Sequence, residues 1–383
     1  MKSIRIKKIL VAVLAVLVLL SGSYIGYRVV AEQQRRKKLI AEFALGEGYN
    51  SELNERYIEY YDKNSEIDVS ELLILVNNGI DRLDIEYDPR FIGFIKANGY
   101  QFEDISRYLD YSNRTHADEA TVVGLVSHDI DQKDVEYGER LIGIINDPYF
   151  LWSRVERYCD YDSEHSNENL DVRTLVERIN CNLDMIPKNG DLHADPGKGK
   201  TVLVNNYYDL AAEYVPGNLV DVDKSYSSKG ARMDAEAYEH LVEMASEARR
   251  NGLKVTINGD NGYRSYSYQA TVYDYYVKML GREDGEKRAA QPGYSEHQTG
   301  LAVDLNVENA GYKGYTKAKG FAWLANNCHK YGYIVRYPDE KIDITGYTYE
   351  RWHFRYVGVE AAEIIHETGL TFDEYYAFYI EQK

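Results

Sequence analysis

Apolar and polar positions follow three different patterns along this chain, and the first lies at the N-terminus. From Ile9 to Val30 the residues are almost all uncharged and mostly apolar, with Arg28 as the one charged side chain, and basic residues flank the run on both sides. A run of this length is typical of a membrane-spanning anchor or of a signal peptide. No clear cleavage site of small residues follows it, so residues 1–38 are predicted to be a cytoplasmic tail and membrane anchor, with a signal peptide as the alternative.

The middle of the chain repeats itself at an interval of about fifty residues. The segments RYIEY, RYLDY and RYCDY begin at Arg56, Arg107 and Arg157. A matched interval of this kind is typical of a duplicated helical unit stacked on its neighbour. We interpret residues 39–185 as a repeat region that serves as a spacer or interaction module, with an unknown protein partner.

Beyond a linker rich in Gly, Pro and Lys, the remainder mixes helical and alternating patterns. The predicted strands are LKVTI, GLAVDL, GYIVRYP and WHFRYVG. The predicted helices are MDAEAYEHLVEMASEARR, Tyr266 to Leu280, Lys317 to Lys330, and a last helix that opens with a capping box of Thr371 and Glu374. Because no regular βαβ order is present, residues 186–383 are predicted to be an α+β domain with a small antiparallel sheet flanked by helices.

Composition and charge restrict the class of partner. Among 383 residues, 44% are hydrophobic and 28% charged, which is typical of a globular protein. The net charge is −17, and residues 1–38 carry nine Lys/Arg and one Glu, so the rest of the chain carries −25. Such an acidic region argues against nucleic acid or anionic lipid as its partner.

Polar residues that suit a metal site stand at the ends of the predicted strands. In GLAVDL the side chain of Asp304 points away from the aliphatic face, and an ionised carboxylate there requires a partner. His297, just before this strand, and His353, in WHFRYVG, supply two nitrogen ligands. Three N/O ligands leave the fourth zinc position open, as a catalytic site requires. Glu350, three residues before His353, is placed to take a proton from water.

The segments GYRSYSYQ, SEHQTGLAVDL and YERWHFRYVG together resemble the VanY-type D-alanyl-D-alanine carboxypeptidases. These belong to a group of peptidoglycan zinc peptidases that includes D,D-dipeptidases and L,D-carboxypeptidases. The family pattern S-x-H-x-x-G-x-A-x-D is matched from Ser295 to Asp304, and E-x-W-H from Glu350 to His353. The resemblance covers roughly Thr201 to Gln382 and does not include the repeat region.

The resemblance implies a Zn²⁺ ion with a substrate pocket beside it. The implied zinc ligands are His297, Asp304 and His353. Glu350 would act as general base and acid, and Arg264 would stabilise the scissile carbonyl as it becomes an oxyanion. Gln269 and Ser295 would help to hold the terminal carboxylate of the substrate, and we place Trp352 with them as a substrate-binding residue.

One residue departs from the family pattern. Arg351 stands between Glu350 and Trp352, where such enzymes commonly have proline. Loss of that rigid residue would loosen the base, or the added cation would depress its pKa.

The predicted function is a zinc-dependent D-alanyl-D-alanine carboxypeptidase that removes the C-terminal D-Ala from peptidoglycan stem peptides. Its predicted location is the cell membrane, in a single-pass arrangement with an extracytoplasmic catalytic domain, or outside the cell after signal cleavage. The serine mechanism of penicillin-binding proteins has no support, because the chain has neither Ser-x-x-Lys nor Lys-Thr-Gly. Two alternatives stay open: an L,D-carboxypeptidase that acts on tetrapeptide stems, and a non-catalytic wall-binding or receptor module.

Overall fold

The computed structural model describes the backbone of residues 2–130 and 138–381, and their side chains except at residues 2–20, 22, 23, 138 and 139. The chain divides into two compact units, Met1–Ile142 and Gly143–Lys383. The boundary predicted between residues 185 and 186 lies inside the second unit.

The described part of the first unit is helical. Its helices are α1 (Lys2–Phe43), α2 (Asn54–Lys63), α3 (Val69–Asn77), α4 (Phe91–Lys96), α5 (Ile105–Thr115), α6 (Glu119–Ser127) and the first residues of α7 (Gly138–Ile145). Aspartate side chains cap two of them, because Asp68 accepts a hydrogen bond from Ser70 N and Asp118 accepts one from Thr121 N.

Helix α1 includes the apolar run that predicted a membrane anchor. Where its side chains are described, at Ser21 and residues 24–43, seven are charged: Arg28, Glu32, Arg35, Arg36, Lys37, Lys38 and Glu42. Charged side chains are costly in a bilayer. Across the residues that the structure describes, no helix has the length and apolar character needed to span a membrane. The predicted single-pass membrane localisation is therefore wrong.

The R-Y-x-x-Y segments place equivalent contacts in three helices, α2, α5 and α8 (Val155–Glu164). In each, the arginine donates to a carbonyl at the end of the next helix, which is α3, α6 or α9 (Val172–Asn180). These pairs are Arg56–Val76 (2.9 Å), Arg107–Val126 (3.4 Å) and Arg157–Ile179 (3.1 Å). The motif therefore satisfies C-terminal carbonyls that lack a partner within their own helix.

The second unit is built around a four-stranded antiparallel sheet. Two short ladders precede it: β1 (Leu192–His193) with β2 (Tyr208–Asp209), and β3 (Leu219–Asp221) with β4 (Arg232–Asp234). The sheet strands are β5 (Leu253–Ile257), β6 (Ala302–Asn309), β7 (Tyr333–Val335) and β8 (His353–Tyr356), and they lie side by side in the order β5-β6-β8-β7. Asp304 of β6 pairs directly with His353 of β8.

The helices of this region are α10 (Ala235–Arg250), α11 (Tyr266–Leu280), α12 (Arg282–Glu286), α13 (Lys317–Asn327), α14 (Ile342–Thr345), α15 (Val359–Thr368), α16 (Phe372–Tyr375) and a π-helical turn at Tyr376–Ile380. Of these, α10, α13 and α15 pack against strands of the sheet. Leu241 and Met244 of α10 pack in one core with Val255, Val303 and Phe354 of the sheet. The predicted α+β fold with a small antiparallel sheet flanked by helices is confirmed.

Candidate active site

His297, Asp304 and His353 converge at one end of the sheet. The direct pairing of β6 and β8 places the side chains of Asp304 and His353 on the same face. His297 lies on the 3₁₀ turn Glu296–Thr299, which leads into β6. The three side chains are buried, and their ligand atoms all lie within 4.8 Å of one another. Two imidazoles and one carboxylate at this spacing fit a zinc ion.

Hydrogen bonds determine which ring nitrogen of each histidine is available to a metal. Nδ1 of His297 lies 2.7 Å from the carbonyl of Gly262 and donates to it, which leaves Nε2 with its lone pair, 3.5 Å from Asp304 Oδ1. Nε2 of His353 lies 3.4 Å from Glu296 Oε2, and Nδ1 lies 3.1 Å from Asp304 Oδ1. Donation from Nε2–H to Glu296 therefore assigns Nδ1 of His353 as the ligand atom.

Glu296 is held by a fully buried ion network beside His353. Its Oε1 accepts from Arg336 Nε at 2.8 Å and from Arg355 Nη1 at 2.9 Å, and Arg336 also binds Asp373 at 2.6 Å. Burial alone would raise the pKa of Glu296, but Arg336 and Arg355 lower it below its ordinary value. Glu296 is therefore ionised, and its fixed position orients the ring of His353.

The titration of the two histidines differs because their partners differ. Burial lowers the pKa of His297 to about 4, and Arg264 adds to this effect, so its imidazole is neutral as a metal ligand must be. Burial opposes protonation of His353 as well, but hydrogen bonds with Asp304 and Glu296 raise its pKa to about 9. Metal binding at His353 therefore releases a proton.

Glu350 and Arg264 share the cavity with the metal position. Burial raises the pKa of Glu350 above its ordinary value, and Asp304 raises it further. Arg264 donates from Nη2 to Asp304 Oδ2 at 2.9 Å and from Nη1 to Gln269 Oε1 at 3.4 Å. Its buried Nε–H has no partner among the described residues, so it is free to bind an acceptor on a ligand.

One cavity of about 650 Å³ brings together all eight residues that the sequence singles out. They are Arg264, Gln269, Ser295, His297, Asp304, Glu350, Trp352 and His353. The buried amide of Gln269 donates to the carbonyl of Ala290 at 2.8 Å in addition to its bond with Arg264. Gln269 therefore also holds Arg264 in place, and its predicted contact with substrate stays a prediction.

Three residues of the site were not found from the sequence. Glu296 lies inside the recognised motif, but its buried partners are distant in sequence. Arg288, whose guanidinium lies 5.5 Å from the centre of the Trp352 ring, follows a polar segment typical of an exposed loop. Tyr347 lines the cavity, and its buried hydroxyl has no partner within the described part of the chain. No local signal in the sequence separates Arg288 or Tyr347 from surface residues.

Sequence comparison identifies a family and several relatives that match part of this chain. The profile of the VanY family, D-alanyl-D-alanine carboxypeptidase, matches residues 230–359. The putative carboxypeptidase YodJ of Bacillus subtilis (strain 168) is 39% identical over 181 residues, which are 45% of this chain and 66% of that protein. The bifunctional D-Ala-D-Ala dipeptidase and D-Ala-D-Ala carboxypeptidase VanXYC of Enterococcus gallinarum is 34% identical over 46% of this chain and 93% of that protein.

Two solved structures are also similar. The LdcB LD-carboxypeptidase is 35% identical, with a TM-score of 0.44, over 50% of this chain and 94% of that chain. A VanY D,D-pentapeptidase mutant from a VanB-type vancomycin resistance cassette, in complex with Zn(II), is 34% identical, with a TM-score of 0.40, over 46% of this chain and 98% of that chain. Because the match to VanXYC extends over nearly all of that protein, this chain belongs to the VanY family of D-alanyl-D-alanine carboxypeptidases.

Proposed function

We propose that this protein is a zinc-dependent carboxypeptidase that removes the C-terminal D-Ala from peptidoglycan stem peptides. The observation that carries the proposal is the convergence of His297, Asp304, His353 and Glu350 in one cavity of a VanY family member. The relative VanXYC acts on D-Ala-D-Ala, as its name states, which supports the same substrate class here.

The residues of the cavity account for the steps of peptide hydrolysis. When bound, zinc supplies a Lewis acid that polarises the attacking water and the scissile carbonyl. Glu350 takes a proton from the water and then gives it to the leaving amino group of D-Ala. Arg264 stabilises the negative charge that develops on the carbonyl oxygen, for which its unpaired Nε–H is available.

The free carboxylate of the substrate needs donors or a positive charge near the metal. Ser295 is buried and lines the same cavity as Gln269, so its hydroxyl is our proposed donor to that carboxylate. Trp352 forms another part of the wall, with Arg288 over its ring. Arg288 adds a positive charge on the side of the cavity that holds Glu350.

The decisive experiment measures D-alanine release by the full chain from a pentapeptide that ends in D-Ala-D-Ala. We expect release that a chelator abolishes, that zinc restores, and that Glu350→Gln lowers by at least about 100-fold. Cleavage of a tetrapeptide but not of the pentapeptide would assign the L,D bond instead. If neither peptide is cleaved while zinc is bound, the non-catalytic alternative becomes the better explanation.

We further propose that residues 39–185 contain repeated helical pairs with an interval of about fifty residues, serving as a spacer or protein-binding module. The equivalent Arg56, Arg107 and Arg157 contacts support this interpretation. The tyrosine after each arginine adds a second equivalent contact, because its hydroxyl accepts from a backbone N–H seven residues earlier. Tyr57→Phe and Tyr108→Phe should therefore destabilise the protein to a similar extent in thermal unfolding.

A further inference from the structure

Helix α11 exposes apolar side chains that a helix of its composition normally buries. Gln269 is the single buried side chain of this fully described helix of 15 residues. Tyr275 and Met279 are 58% and 63% exposed, and Tyr268 and Leu280 are also exposed. A concentrated apolar surface of this kind marks a binding site more often than a plain solvent face.

This surface is continuous with the candidate substrate cavity. Tyr268, Val272, Tyr275 and Tyr276 of α11 all line that cavity. Their spacing places them on one helix face, which Met279 extends by another turn.

The N-terminal end of α11 lies next to the metal position. There Gln269 binds Arg264, which in turn binds Asp304. The exposed face therefore begins at the reaction centre and leads away from it.

The reaction itself decides which part of a substrate meets this face. A carboxypeptidase that removes one residue has a single residue on the leaving side of the scissile bond, so an extended surface must hold the other side. From Gln269 to Met279 the helix rises about 15 Å at 1.5 Å per residue. The four stem-peptide residues before the scissile bond span about 13–14 Å when extended. A stem that runs along α11 from the metal position would therefore place the group attached to its N-terminus, an amino sugar of the glycan strand, at the end of α11 that carries Tyr275 and Met279.

The chemistry of this end suits a sugar better than a charged peptide. The cavity-lining positions of α11 and Met279 carry no charged side chain. A tyrosine ring offers an apolar face together with a hydroxyl, which matches a sugar ring with its C–H face and its hydroxyl groups. Tyr275 and Tyr276 pack edge to face, with ring centres 5.3 Å apart, and so form a wider aromatic surface.

We propose that the Tyr275 and Met279 end of α11 binds the N-acetylated amino sugar that carries the stem peptide. The enzyme then cleaves glycan-linked stems in preference to free peptides. This inference rests on the proposed carboxypeptidase function and adds the sugar as a second recognition element.

The test compares kcat/KM for D-alanine release from a free pentapeptide and from the same pentapeptide linked to N-acetylmuramic acid. We expect the wild-type full chain to favour the sugar-linked substrate by about three- to tenfold, the range that an aromatic contact usually contributes. The double variant Tyr275→Ser with Met279→Ser should lose this preference, because its kcat/KM for the sugar-linked substrate falls to about its kcat/KM for the free peptide. Asp274→Ser is the matched control, since Asp274 is exposed on the same helix but does not line the cavity.

The outcomes separate this inference from the function on which it rests. If the wild type cleaves both substrates equally well, or if the double variant keeps the preference, the sugar site is wrong and the carboxypeptidase proposal stands. If neither substrate is cleaved, the carboxypeptidase proposal itself fails. Sedimentation of the same proteins tests whether a second copy of the chain binds this face instead. If the wild type is a dimer and the double variant is a monomer, the face serves self-association and the sugar site is wrong.

Discussion

At the scale of single residues, neighbouring charges determine the pH range in which Glu350, the proposed base, is ionised. Burial raises the pKa of Glu350, and Arg288 opposes that rise. Glu350 must be ionised to take a proton, so activity falls as the pH drops through its pKa. In Arg288→Gln the opposing positive charge is absent and the pKa rises further. We therefore expect the acidic limb of the profile of kcat against pH to move to higher pH.

Arg351→Gln is the matched control for this shift. The guanidinium of Arg351 lies 5.3 Å from the centre of the Phe321 ring, and Arg351 is not among the main charges that act on Glu350. Its removal should leave the acidic limb in place, although Arg351 stands beside Glu350 in sequence. If the acidic limb moves in Arg351→Gln but not in Arg288→Gln, then Arg351 rather than Arg288 is the arginine that lowers the pKa of Glu350.

Glu296 provides a second test at this scale, with metal affinity as the measurement. Glu296→Gln removes the carboxylate that accepts from Nε2 of His353 but keeps the size of the side chain. Because such partners orient a metal ligand, we expect zinc affinity to fall by about 10- to 100-fold in competition with a chromophoric chelator. Asp373→Asn disturbs the same network at Arg336 without a contact to His353. If both variants lose zinc affinity equally, the ion network around Glu296 affects zinc binding only through the stability of the fold.

At the scale of helices and strands, features encoded within one segment could be predicted from the sequence. Contacts between residues distant in sequence could not. The bounds of α11 and the capping box of Thr371 and Glu374 follow from the order of residues in one segment, and both are present. The proposed ligands His297 and Asp304 could be found from the sequence because they lie seven residues apart, on one turn and on the strand that follows it. The ion network was missed because Arg336 and Arg355 lie 40 and 59 residues from Glu296, and charged residues in a sequence suggest exposure. The membrane prediction rested on the apolar run of the sequence alone, and no helix among the described residues has the length and apolar character to span a membrane.

The glycine of the zinc motif gives a prediction at this scale. Gly300 ends the 3₁₀ turn with φ of +72°, and an added Cβ would lie 2.6 Å from Leu219 Cδ2. Gly300→Ala should therefore lower the free energy of unfolding by more than about 1 kcal/mol and displace His297 from Asp304. Thermal unfolding and zinc content measure the two effects. Gly217→Ala, at a glycine with open space around it, should change neither by a comparable amount.

At the scale of the whole molecule, the second unit extends further toward the N-terminus than the catalytic motifs suggest. Tyr149 stacks on Phe378 with ring centres 3.9 Å apart, and Arg154 pairs with Glu381 at 2.7 Å. Cys181 is buried in one cluster with Ile344 and Phe378. Residues between 143 and 185 therefore cover the C-terminal part of the peptidase fold.

Two fragments test how much residues 143–185 stabilise the peptidase fold. Residues 143–383 should keep the cluster around Phe378, whereas residues 186–383 lose Tyr149, Arg154 and Cys181 and expose it. We expect the shorter fragment to unfold at least about 5 °C below the longer one in calorimetry. Equal melting temperatures would show that the segment is dispensable for the stability of the peptidase fold.

The pairing of Asp304 with His353 across β6 and β8 also makes the metal a reporter of folding. A slip of one residue between these strands would turn one ligand to the opposite face of the sheet, and the three donors could no longer meet. A newly synthesised chain therefore gains a complete metal site only after β8 has docked in its native register. Zinc bound at this site therefore reports the native register of β6 and β8, and a variant in which that register shifts should lose zinc even where it keeps its secondary structure.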